Sequence, residues 1–255
     1  MQFWSLKGYV SYAEARELQH LLVDLRARDF IPDTFLFLEH LPVITQGRGL
    51  QWTGAPRSRH MPVPQFLPSG VEFSESERGG DLTYHGPGQL VVYPICKLDG
   101  QGFGPARSVA GFLRKLEGLL IHELSLRGLE ASSHENATGI WLGQKKLASI
   151  GIAVRKWVTY HGIAINCVNA LEPFQLISPC GFSPDVMTRL SDWVSLGENW
   201  RTDLEQSLAR NLAGVHSETA VVKSFHAESL LALLRDQAAL FEKSDHPEKL
   251  PALNW

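Results

Sequence analysis

The chain has little cysteine: Cys96, Cys167 and Cys180 are three residues in 255. An odd count makes a poor disulfide framework, and no pair has metal-ligand spacing. A reducing cytoplasm is therefore the expected compartment, and no metal site is expected. An excess of basic charge is also missing: the formal net charge is −3 at pH 7. That argues against a general binder of nucleic acid or of anionic membranes. No apolar run approaches membrane-spanning length. Residues 1–7 lack a basic start followed by an apolar core, so no signal peptide is expected. There is no Walker A sequence, and Gly47-Arg48-Gly49 does not complete a dinucleotide fingerprint. Neither a Gly-x-Ser-x-Gly elbow nor an HExxH or CxxC metal signature occurs.

What is present is an ordinary soluble composition, 44% hydrophobic and 20% charged, with a clear grouping of patterns. Leu18, Leu21, Leu22 and Leu25 fall at helical spacing within 12–28. A second set, Val109, Phe112, Leu113, Leu116, Leu119, Leu120 and Leu124, predicts a helix over 105–127 with Pro105 near its start. Residues 34–39 read as a strand, and 52–70 as a long surface loop. The stretch 137–165 reads as antiparallel hairpins with turns at Gly143-Gln144 and Arg155-Lys156. Beyond residue 199 the pattern turns helical, over 203–213 and 226–243. Strands and helices are grouped rather than alternating, which favours an α+β fold. A catalytic domain over 1–200 is expected, with a helical extension over 201–255 packed on it.

The most distinctive segment is Arg78-Gly79-Gly80-Asp81-Leu82-Thr83-Tyr84-His85-Gly86-Pro87-Gly88-Gln89. Its glycines and proline predict a tight loop rather than a regular strand interior, held still by the buried strand that starts at Leu90. Arg78 beside two glycines suits an anion. Cys180 sits between Pro179 and Gly181, a turn context near a surface or cleft, whereas Cys96 and Cys167 lie in apolar strands as small buried residues. A free thiol is about 3% thiolate at pH 7, so a nucleophilic Cys180 needs a base or cation. Candidates are His85, His161 and the pair Lys145/Lys146.

The ordered blocks Glu39-His40-x-Pro42-Val43-x-Thr45-x-Gly47-Arg48, then 78–94, then Lys146-x-x-Ser149-Ile150-Gly151, then His161-Gly162-Ile163-Ala164-Ile165-Asn166, then Pro179-Cys180-Gly181 closely resemble the octanoyltransferases of lipoate biosynthesis. The match spans roughly residues 30–190. It implies an α+β fold of the biotin/lipoate protein ligase type, with a mixed, largely antiparallel sheet flanked by helices. It also implies transfer of an octanoyl group from octanoyl-acyl carrier protein to a lysine of lipoyl-accepting domains. Those acceptors are the E2 subunits of 2-oxoacid dehydrogenases and the glycine-cleavage H protein. No cofactor is implied, and a monomer is expected. Matched residue by residue, Cys180 is the acyl-thioester nucleophile and Lys146 its acid–base partner. Arg78, Gly79, Gly80, Asp81, Leu82, Thr83, Tyr84 and His85, with Ser149, Ile150, Gly151, Gly162, Ile163 and Ala164, line the acyl site. His161 and Gln89 position it.

Two features complicate the match. Asp81 stands where the family often has Gln. The Lys145-Lys146 doublet leaves a one-residue ambiguity, which the spacing to Ser149 and strand alternation resolve toward Lys146. The alternatives are an ATP-dependent lipoate-protein ligase on the same fold, which activates the acid as an adenylate, an octanoyl amidotransferase acting between lipoyl domains, and a non-catalytic acyl-binding protein.

Overall fold

The computed structural model describes residues 1–49, 67–134, 137–177, 183–214 and 220–243. The long loop expected over 52–70 lies outside them, apart from its last four residues. Cys180 lies outside them too.

An eight-stranded sheet forms the frame. It is built from β1 (Gln2–Val10), β2 (Thr34–His40), β6 (Gln89–Ile95), β7 (Ala131–His134), β8 (Ala137–Leu142), β9 (Lys145–Arg155), β10 (Val158–Asn166) and β11 (Val222–Phe225). The order is β11-β1-β2-β6-β10-β9-β8-β7. The β11/β1 and β1/β2 seams are parallel and the others antiparallel. This is the mixed, largely antiparallel sheet that the resemblance implied.

Strand alternation sorts the core onto two faces. Trp4, Leu36, Leu38, Val91, Tyr93, Tyr160 and Ala164 pack beneath α1 (Tyr12–Ala27) and α4 (Ala227–Lys243). Phe35, Phe37, Leu90, Val92, Ile163 and Ile165 pack with α2 (Val109–Ser125) and α3 (Trp200–Ala213). The Ser11 side chain accepts from Glu14 N while Glu14 reaches back to Ser11 N, a capping box that starts α1. From there Ala15, Leu18, Leu22 and Leu25 bury one stripe. The second helix begins at Val109 rather than at 105, because the Ser108 hydroxyl caps Gly111 N at 3.0 Å. The C-terminal extension is not purely helical: between its two helices, β11 pairs with β1 and closes that edge of the sheet.

A second sheet, of order β4-β3-β5, joins β3 (Val43–Gln46), β4 (Glu72–Glu75) and β5 (Leu82–His85). The glycine-rich segment is thus a loop followed by a short strand, not a loop throughout. Ile44, Leu82 and Tyr84 of this sheet pack on Phe174, Ile177 and Met187.

Candidate active site

Alternation along β5 sends Thr83 and His85 into a cleft against the main sheet, and sends Leu82 and Tyr84 to the small apolar cluster. The loop before β5 is pinned by Arg78. Arg78 as a whole residue is 8% exposed. Its Nε and Nη2 donate to Thr45 Oγ1 (3.2 and 2.8 Å). Nη2 also donates to Thr45 O and Asp81 O (both 2.7 Å), and Nη1 to Gly79 O (3.1 Å). Arg78 therefore shapes the loop through these carbonyl groups and the Thr45 hydroxyl. The loop crosses β9, where Gly79 N–H donates to Ile152 O at 3.0 Å. A Cβ on Gly151 would lie 2.7 Å from Gly79 O, so only glycine allows this approach.

Across the cleft, Lys146 is fully buried, whereas Lys145 is exposed and donates from Nζ to Asp185 O at 2.6 Å. Alternation on β9 thus separates the doublet as expected. The Lys146 stem lies over Gly139 of β8, where a Cβ would come within 2.8 Å of its Cε. Its Nζ is 5.8 Å from the Trp141 ring centroid. The Lys146 carbonyl accepts from Thr188 N at 3.0 Å, and Lys146 bridges Met187. The chain that follows residues 178–182 is therefore anchored beside this lysine.

Buried imidazoles and phenols form the rest of the wall. Gln89 Nε2 donates to Tyr84 O (3.0 Å) and Asn166 Oδ1 (2.9 Å), which turns Oε1 toward His85 Nδ1 at 2.8 Å. His85 then carries its proton on Nδ1 and keeps Nε2 as an acceptor. Burial, then the charges of His40 and Arg78, hold its pKa well below the usual histidine range. His40 donates from Nδ1 to Val10 O (2.9 Å) and accepts at Nε2 from the Tyr93 hydroxyl (2.7 Å). Burial lowers the His40 pKa to about 4 and pushes the Tyr93 phenol well up. The Tyr12 hydroxyl donates to Ser76 Oγ at 2.7 Å.

His161 is the strained member, a non-glycine residue at φ 55° within β10. Such a left-handed conformation costs about 1–3 kcal/mol and persists only where surrounding contacts enforce it. Its Nε2 lies 3.3 Å from Glu77 Oε2. Burial lowers the His161 pKa, while the hydrogen bond to His161 draws Glu77 down to about 2. A neutral His161 with its proton on Nε2, donating to an ionised Glu77, satisfies both.

The neutral histidines make stability depend on pH. An unfolded His40 titrates near 6.5, so between that pH and about 4 the unfolded chain binds one more proton than the folded chain at this position. The stabilisation is complete above about pH 6.5 and lost as the pH falls toward 4, about 3 kcal/mol in all. Urea melts at pH 7 and about pH 4.5 are expected to show His40→Gln losing less stability on acidification than the parent. Equal losses would remove His40 as the cause.

Of the expected site residues, Arg78, Gly79, Gly80, Thr83, His85, Lys146, Ser149, Ile150, Gly151, His161, Gly162, Ile163 and Ala164 share this cleft. Asp81, Leu82 and Tyr84 are not among its described lining, and Gln89 supports it from behind. Tyr12, Val91, Tyr93 and Thr138, none of them among the expected site residues, also line it, and Gln19, Glu77, Gly139 and Asn166 support it. Cys96 and Cys167 are buried; burial raises the first thiol well above its usual value and the second to about 12. Neither is a nucleophile in this state.

Residues 11–211 match the family model for the lipoyl protein ligase A/B catalytic domain. An octanoyltransferase of Koribacter versatilis is 41% identical over 186 residues, 72% of each chain. One from Nitratidesulfovibrio vulgaris is 35% identical over 214 residues, 84% of this chain and 94% of that one. Among solved structures, a putative lipoate protein ligase of T. acidophilum with bound lipoic acid superposes with a TM-score of 0.65 at 14% identity. That match covers 93% of this chain and 95% of the other. At that identity the likeness is one of fold.

Proposed function

Since the chain belongs to the lipoyl protein ligase A/B catalytic-domain family and its curated relatives are octanoyltransferases, we propose that it carries an octanoyl group from octanoyl-acyl carrier protein to a lysine of a lipoyl domain through a thioester on Cys180. It is an acyltransferase of octanoyl transfer in protein lipoylation. The acceptors are E2 lipoyl domains and the H protein, and the enzyme works as a monomer.

One observation carries the mechanism: a fully buried lysine, Lys146, in the cleft, whose carbonyl anchors the chain that follows residues 178–182. Cys180 Sγ attacks the donor thioester carbon and its proton passes to Lys146 Nζ. The tetrahedral adduct expels the carrier thiolate, which takes the proton back. The acceptor ammonium gives one proton to solvent, and the neutral amine attacks the Cys180 thioester and passes its second proton to Nζ, which hands it to the expelled Cys180 thiolate. Thioester exchange is nearly thermoneutral and amide formation runs downhill, so ATP is not consumed. A free lysine amine is neutral in only about 1 in 2500 molecules at pH 7, a deficit of about 4.6 kcal/mol that a base beside the thioester removes. Val91, Ile150, Ile163 and Ala164 supply apolar surface for the chain, each buried methylene contributing about 0.8 kcal/mol.

Incubation with octanoyl-acyl carrier protein, without ATP, is expected to give a hydroxylamine-labile octanoyl adduct by intact mass. The adduct should be missing in Cys180→Ala. Activity that demands ATP, with no adduct on the parent, would transfer the protein to the ligase reading.

A further inference from the structure

His161 breaks the alternation of its own strand. Ile163 and Ile165 face the α2/α3 core, and a regular β10 would send His161 there with them. Its ring instead lies 4.7 Å from that of Tyr160, its sequence neighbour, whose side chain belongs to the opposite face. It stacks on Tyr12 at 6.4 Å with planes 4° apart, and meets Tyr93 edge-on at 6.2 Å. The left-handed backbone at φ 55° makes this turn. It also swings the His161 N–H out of the strand seam to a side chain of α1: Gln19 Oε1 accepts it at 2.6 Å. Gln19 is fully buried, and its other end is fixed by donation to Ala15 O at 3.1 Å.

One anchor of the glycine-rich wall depends on that turn, and a second lies beside it. The imidazole reaches Glu77, the residue before Arg78, at 3.3 Å. Meanwhile Ile152, the register partner of His161 across the β9/β10 seam, has its carbonyl accepting from Gly79 N–H at 3.0 Å. His161 and Ile152 form a non-hydrogen-bonded pair, because the odd-numbered residues of β10 turn their backbone groups toward β6 (Thr159 N–H donates to Cys96 O at 2.9 Å), and the Ile152 carbonyl faces the wall beside them.

From this geometry we infer that Gln19 is a positioning residue of the transfer reaction: it holds the turn at His161, and through it keeps the Glu77–Asp81 wall closed over the cleft. A wall held across β9 excludes water from a thioester that must survive until an acceptor lysine arrives. The consequence for the reaction rests on the Cys180 thioester reading; the consequence for the wall does not.

The test measures two quantities on the full chain. One is amide exchange of the peptide covering residues 77–81 without substrate. The other is the ratio of free octanoate to octanoyl-lysine formed from octanoyl-acyl carrier protein. Gln19→Met, similar in length but without the acceptor, is expected to speed that exchange about tenfold and to raise the ratio by about the same factor. Gln19→Glu, kept protonated by its full burial, retains an acceptor oxygen for His161 N–H and an O–H donor for Ala15 O, and is expected to bring both to within about twofold of the parent. Parent-like exchange in a folded Gln19→Met overturns the inference, as does failure of Gln19→Glu to rescue. If Gln19→Met does not fold, His161→Gly decides, since it keeps a left-handed backbone and drops only the ring. It should raise the ratio, and a parent-like ratio overturns the inference. An adduct missing from the parent sinks the thioester reading alone, because the exchange measurement still judges Gln19.

Discussion

Replacing Lys146 with alanine is expected to slow octanoyl transfer about 10³-fold, the middle of the range for losing a positioned acid–base group and equal to about 4 kcal/mol of barrier. The side chain is fully buried on Gly139 and near Trp141, so alanine also leaves a void. Lys146→Met separates the two effects. It keeps the linear bulk in the same slot but has no nitrogen, so it should lose as much rate as alanine while melting closer to the parent. Lys146→Arg should also fail, since a guanidinium does not release its proton at working pH. The measurement is single-turnover transfer to an isolated lipoyl domain, with melting followed in parallel. A Lys146→Met enzyme working within tenfold of the parent would remove this lysine from the proton path.

The prominence of Lys146 illustrates what the sequence could disclose. Alternation on a long strand separates Lys145 from Lys146, and the structure divides them in that way. Helical leucine spacing disclosed α1 and α2, and the hairpins β8–β10 followed from turn residues between β-rich runs. The first strand is not legible in the sequence because its Ser5, Lys7 and Gly8 interrupt the apolar pattern, although Trp4 and Leu6 are fully buried. Strand β5 was hidden by the glycines on both sides, and β11 by its four-residue length. His161 shows the deeper limit. Its period places it on the wrong face, and its correct face is set by Gln19, 142 residues away in sequence. Nothing local to either residue carries that information. Tyr12 and Tyr93 likewise read as ordinary helix and strand residues, and become part of the cleft only when α1 and β6 meet β10.

Gly139 packs against the Lys146 stem, and its replacement by alanine is expected to be strongly destabilising. Gly139 has φ 142°, a backbone conformation strained for any L side chain. A Cβ there would also collide with the backbone carbonyl of Ala148 and lie 2.8 Å from Lys146 Cε. The carbonyl belongs to the β8/β9 ladder and cannot withdraw without breaking it. Strain and overpacking together predict a loss of about 3–5 kcal/mol. Chemical denaturation should show it as a lower midpoint with an unchanged slope. If the domain survives, Lys146 is the atom group able to move, and it moves away from its place in the cleft. Transfer should then fall with the donor KM nearly unchanged, because the glycine-rich wall and the apolar lining stay where they were. A Gly139→Ala protein with the parent's midpoint would mean that β8 can shift to make room, and that the lysine is positioned from its other side, by the Met187–Thr188 segment.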